Sequence, residues 1–232
     1  MSELTEMAMA AISQAQRRVE VAAQNLSNAA TPSYKRRVAF SSLVGGSDSS
    51  RSNMPQVNTV VDQRPGKFIQ TANPANLALG GSGFFALRRD DQVIYTRNGQ
   101  FSVDADGRLV DRNGFALQLG NGRDLVVKSA DFKVLPGGVV REKGQVLGTI
   151  AVFADVADIG DGESGSTATA SLDLVANPDI KQGMIEASNV ATGDEMVAMI
   201  EALRRAEAGQ RVMTIYDDLM GRVITSFGEN AR

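Results

Sequence analysis

At 232 residues and 24.6 kDa, with 43% apolar and 22% charged residues, the chain is long enough for one large domain or two smaller ones that bury a core. It has no cysteine and no histidine, which excludes disulfides, thiolate nucleophiles, Cys/His zinc sites and every histidine-based catalytic dyad or triad. A net charge of -3 offers no general basic surface for nucleic acid, and no run approaches the roughly 18 apolar residues that a membrane-spanning helix needs.

The opening MSELTEMAMAAISQAQRRVE carries Glu3 and Glu6 and no basic region ahead of an apolar run, so no cleaved secretory signal is expected. Leu4, Ala8, Ala11, Ala15, Val19, Ala22 and Leu26 recur at steps of three or four and predict a helix with a narrow, alanine-rich stripe. Pro32 biases Thr31 away from helical angles, so the helix should end near Asn28. The basic run Tyr34-Lys35-Arg36-Arg37 then has two readings, a solvated helix exit or a dock for acidic surfaces of neighbouring subunits. Residues 41–65, rich in Ser, Gly and Asn, are expected to form a flexible linker.

From residue 66 to 183 the period changes to that of a mainly antiparallel β domain. Asn98-Gly99, Asp106-Gly107, Asn113-Gly114 and Asn121-Gly122 suit tight hairpin turns. Between and beside them, 93–96, 101–103, 109–110 and 115–117 predict short strands, and further strands are expected over 147–153 and 171–175. Gly80-Gly81-Ser82-Gly83 precedes a strand pattern rather than a helix, which favours a close backbone approach over a phosphate loop. Asp104-Ala-Asp106-Gly107 lacks the later acidic ligands of a calcium loop, position 115 being Phe, so it reads as a turn. Asp155, Asp158, Asp161 and Glu163 predict a solvated acidic loop.

Thr192-Gly-Asp-Glu195 has the spacing of a capping box and predicts the start of a long helix. Its stripe runs through Met196, Met199, Leu203, Ala206, Gln210, Met213, Tyr216, Met220, Val223 and Phe227. The two terminal stripes can pack on each other within one chain or between chains. Small alanines on one and soft methionines on the other favour packing between chains, with Met196, Met199, Leu203, Met213 and Met220 as the helix interface. The expected fold is therefore α+β: helical assembly arms at 1–40 and 184–232 with a coiled-coil-like character, the linker, and the central β domain.

Three separated segments resemble the flagellar rod and hook family, in the family's order. Asn25-Leu26-Ser27-Asn28-Ala29-Ala30-Thr31-Pro32-Ser33-Tyr34-Lys35 is similar to the signature N-L-A-N-x-x-T-x-G-[FY]-K, with Ser33 where the family usually has glycine. Gly66 to Thr71, Leu77 to Phe85 and Tyr95 to Phe101 resemble G-x-x-x-x-T, D-x-A-I-x-G-x-G-F-F and Y-T-R-x-G-x-F, with Asn76 for the usual aspartate. Gln182-Gly183-Met-Ile-Glu186-Ala-Ser188-Asn189-Val190 resembles Q-G-x-L-E-x-S-N-V.

The resemblance implies a non-enzymatic structural subunit of the basal-body rod, spanning the periplasm, with no cofactor and no metal. It implies an assembly motif of Asn25, Leu26, Asn28, Thr31, Tyr34, Lys35, Glu186, Ser188, Asn189 and Val190. Its implied partners are other rod subunits and copies of itself, with export by the flagellar type III apparatus, no nucleic acid and no membrane insertion. Length favours the proximal-rod or distal-rod type, and the shortness of the chain together with its modest linker favours the proximal one. Two other classes compete: a cell-envelope β module binding glycan or peptidoglycan, which should show an aromatic platform, and a two-carboxylate hydrolase, which should show a cleft.

Overall fold

The computed structural model describes residues 2–42, 56–129, 131–154 and 173–229, and the chain divides into two compact units. The first comprises Met1–Ala29, Arg36–Asp62 and Val190–Arg232, the second Ala30–Lys35 and Gln63–Asn189. The acidic loop and most of the expected linker, 43–55, lie outside the described residues.

The first unit is built on two helices, α1 (Ser2–Ser27) and α2 (Thr192–Glu229). They run antiparallel, since Asn25 meets Glu195 while Ile12 meets Gly209. The two helices thus pack on each other within one chain, the less favoured of the two arrangements that the sequence left open. The physical reason is side-chain size: Ala8, Ala15 and Ala22 are buried on α1, and Ala202 and Gly209 on α2, each set at steps of seven. At Gly209 a Cβ would lie 2.7 Å from Cγ1 of Ile12, so only glycine admits this closeness. Small residues bury little area each, and the seam compensates by repeating over several turns.

Between the helices in sequence, β1 (Arg37–Ser42) and β2 (Gln56–Val61) pair antiparallel from Arg37↔Val61 to Ser42↔Gln56. Residues 56–61, expected as linker, are thus a strand. Thr59, Val60 and Val61 carry β-branched side chains that suit it, a signal obscured by the Ser/Gly-rich stretch before them.

The second unit is all antiparallel β. Its strands are β3 (Phe68–Gln70), β4 (Leu77–Leu79), β5 (Phe84–Arg89), β6 (Gln92–Thr96), β7 (Ser102–Val103), β8 (Leu109–Val110), β9 (Ala116–Leu117), β10 (Phe132–Leu135), β11 (Val139–Glu142), β12 (Gln145–Thr149), β13 (Val152–Ala154), β14 (Asp173–Leu174), β15 (Ile180–Gln182) and β16 (Met184–Glu186). The main sheet runs β14-β13-β5-β9-β8-β7, with β6 on the other edge of β5. A three-stranded sheet β10-β11-β12 and the pairs β15-β4 and β16-β3 complete it. One core contains Leu77, Phe85, Leu87, Leu117, Val140 and Ile150, and Phe85 meets Phe101 edge-on at 5.6 Å.

Gly107, Gly114 and Gly122 adopt φ of 82°, 81° and 75°, as the turn dipeptides require. Gly99 does not: its role is close approach, because a Cβ there would lie 1.5 Å from the Leu77 carbonyl oxygen, which is part of the backbone passing beside it. The expected strand over 147–153 is two strands, β12 ending at Thr149 and β13 starting at Val152. No helix among the described residues is long and apolar enough to cross a membrane.

Candidate assembly site

Two buried carboxylates, one in each unit, organise the residues of the motif segments. In the β unit, Glu186 ends β16 with 1% of its surface exposed. Its Oε1 accepts from Lys35 Nζ at 2.6 Å and from the Gly66 amide at 2.9 Å, and its Oε2 accepts from Arg97 Nε at 2.9 Å. Arg97 in turn donates to the carbonyls of Gly83 and Gly81 at 3.1 and 2.6 Å. The three resembling segments therefore converge on a single carboxylate. Burial pushes the Glu186 carboxyl up, but the hydrogen bonds from Lys35 and Arg97 and the Gly66 amide outweigh it and hold the group below its ordinary value.

The same knot fixes the turn after α1. The Glu186 carbonyl accepts from the Ser33 amide at 2.9 Å, and Ser33 sits at φ 60°. The positive angle typical of glycine is thus kept by a serine, whose buried hydroxyl finds no partner among the described residues. Tyr34 is buried, and its carbonyl accepts from the Asn189 amide at 3.3 Å, while Asn189 Nδ2 donates to the Arg64 carbonyl at 3.0 Å.

In the helical unit, Asn25 is fully buried and its amide closes a ring with the backbone of Arg37: Nδ2 donates to the carbonyl at 2.8 Å and Oδ1 accepts from the amide at 2.9 Å. Asn25 Nδ2 also donates to Glu195 Oε2 at 2.9 Å, and Arg36 Nε donates to Glu195 Oε1 at 2.5 Å. Glu195 is thereby drawn away from the capping-box role expected of it, because the part-buried Arg36 guanidinium and the buried Asn25 amide outcompete the local backbone donors. Likewise Lys35 and Arg36 are more than a solvated helix exit. Each neutralises a buried acid of this chain.

The remaining expected residues are more dispersed. Asn28 Nδ2 donates to the Gln24 carbonyl at 3.0 Å and the Thr31 carbonyl accepts from the Tyr34 amide at 3.3 Å. Leu26, Ser188 and Val190 are half-buried. On α2, Met199, Met213 and Met220 are half-buried in the seven-residue register of the seam, whereas Met196 and Leu203 are 53% and 47% exposed. The seam within the chain is lined at Glu195, Ala202 and Gly209, one position before Met196, Leu203 and Gln210, and this leaves Met196 and Leu203 outside it.

The chemical motifs set aside in the sequence behave structurally. Asp104 Oδ1 accepts from the amides of Asp106 and Arg108 at 2.9 and 2.8 Å, which closes the turn. At Gly80 a Cβ would lie 1.9 Å from Asp179 Oδ2, and at Gly83, φ 125°, one would lie 2.7 Å from Val152 Cγ1. Close passage of neighbouring segments is what these glycines permit.

A helix pair carrying an inserted β unit, with Glu186 and Glu195 holding chain crossings, is the arrangement of a structural subunit. The family of flagellar basal-body rod proteins is the one it matches. Family models match residues 6–35 (flagella basal body rod protein), 78–166 (flagellar hook protein FlgE/F/G D1 domain) and 181–226 (flagellar basal body rod FlgEFG protein C-terminal). The flagellar basal-body rod protein FlgF of Escherichia coli is 30% identical over 93% of this chain and 94% of its own length. FlgG of Bacillus subtilis is 26% identical over 90% and 93%, and FlgF of Caulobacter vibrioides 25% over 92% and 93%. The chain belongs to the flagellar basal-body rod protein family.

Proposed function

We propose that this chain polymerises through its terminal helices into the axial drive shaft of the flagellum, in contact with other rod subunits and with copies of itself. The observation that carries the reading is the row of large apolar side chains left outward on α2: Met196, Val197, Ile200 and Leu203 are all about half exposed or more, between 47% and 57%. A helix already paired on one face has no use for such residues within its own unit, and their burial against neighbours would contribute on the order of 1.5–3 kcal/mol each. Glu186 and Glu195 serve position rather than catalysis in this reading. Export by the flagellar type III apparatus and a place in the proximal part of the rod are supported by family membership and by chain length respectively.

Leu203→Asp tests it, by setting a charge in a seam that is dry only after assembly. Electron microscopy of basal bodies should show the rod missing or truncated, while the purified variant keeps the melting temperature of the wild-type β unit. Complete rods from the variant would refute helix-driven assembly.

A further inference from the structure

The side of the helix pair that carries Arg205, Ala208 and Val212 forms, with α1, a groove of about 390 Å³. Its floor is made of small residues, among them Ala8, Ala11, Ala15 and Gly209, so it admits side chains from outside. Arg18 and Arg205 stand at one end, and Met7 and Val212 at the other. Nearly half a turn away around α2, by the 100° that each helical residue advances, Met196, Ile200, Leu203 and Glu207 form a stripe at steps of four, three and four. All four are exposed.

We propose that this stripe of one copy seats in the groove of a second copy, Met196, Ile200 and Leu203 filling the apolar floor and Glu207 pairing with Arg205 at the basic end. The inference rests on the assembly reading above and names its contact. Two complementarities support it. The groove between Arg205 and Val212 spans seven residues, as does the ridge between Met196 and Leu203, so each is roughly 10 Å long at 1.5 Å per residue. The charges match at one end only: Glu207 lies one turn beyond Leu203, and Arg205 makes no ion pair among the described residues. Because donor ridge and acceptor groove are different surfaces of one chain, the contact is heterologous and leaves a ridge and a groove unfilled at the two ends, the condition for an open filament.

The absence of cysteine makes the test direct. A chain carrying Ile200→Cys with Ala208→Cys, as the sole copy in the cell, should give a ladder of disulfide-linked multimers when isolated basal bodies are mildly oxidised, and neither single variant should. Independently, Arg205→Glu and Glu207→Arg should each abolish motility and the exchange Arg205→Glu with Glu207→Arg should restore it, each variant being checked for an unchanged thermal melt. Assembled basal bodies without a ladder, single charge variants that swim, or an exchange no better than the singles would overturn this seat while leaving helix-driven assembly standing. Chains truncated after Leu203 that still join the rod would overturn the assembly reading itself.

Discussion

Ser33 occupies a left-handed backbone position that costs a non-glycine residue about 1–2 kcal/mol, and its buried hydroxyl gains nothing in return. Ser33→Gly should therefore stabilise the β unit by about 1 kcal/mol, read as a rise in its denaturation midpoint. A lowered midpoint would show that the hydroxyl holds the turn. Glu186 makes the opposite case. Its carboxyl is held below the ordinary 4.5, so the stability it contributes is fully present above that value and is lost as pH falls through its lower native value. Glu186→Gln should cost about 3–5 kcal/mol at neutral pH, because Lys35 and Arg97 lose their counter-charge, and should flatten the acid limb of the stability curve. An unchanged acid limb would remove Glu186 from the linkage. Neither effect was legible from local sequence: Glu186 and Arg97 stand 89 positions apart, and only their place in resembling segments drew notice.

At the scale of the elements, α2 carries two interior glycines with opposite consequences. At Gly209 a Cβ would press on Ile12, whereas one at Gly221 would meet nothing within 4 Å among the described residues. Gly209→Val should destabilise the helix pair by about 1–3 kcal/mol through overpacking. Gly221→Ala should stabilise it by about 1 kcal/mol through helix propensity alone. Circular-dichroism melts would separate the two, and equal effects would mean that the seam does not close at Gly209. The existence of both helices was legible from their periodicity, and the turns at Gly107, Gly114 and Gly122 from their dipeptides. The seam's register was not, since hydrophobic reading weights large side chains while contact between helices here depends on small ones. Gly99 was misread for a related reason: a glycine before a strand signals a turn or a close approach, and only the position of Leu77 decides which.

At the scale of the whole molecule, the helix pair is fastened unequally. Near one end, Asn25, Arg36 and Glu195 form a buried network, and Ala22 and Ala202 pack beside it. Toward the other, Met7, Met9, Ile215 and Leu219 are exposed, between 54% and 69%. Local opening free energies should follow this gradient. Amide exchange is expected to be slowest around residues 21–25 and 198–202 and fastest around 6–9 and 213–220. Uniform protection along both helices would contradict it. A pair pinned at one end and loose at the other behaves as a pair of jaws. Its loose tip can part while the pinned end stays shut, so the unit can open there without unfolding as a whole.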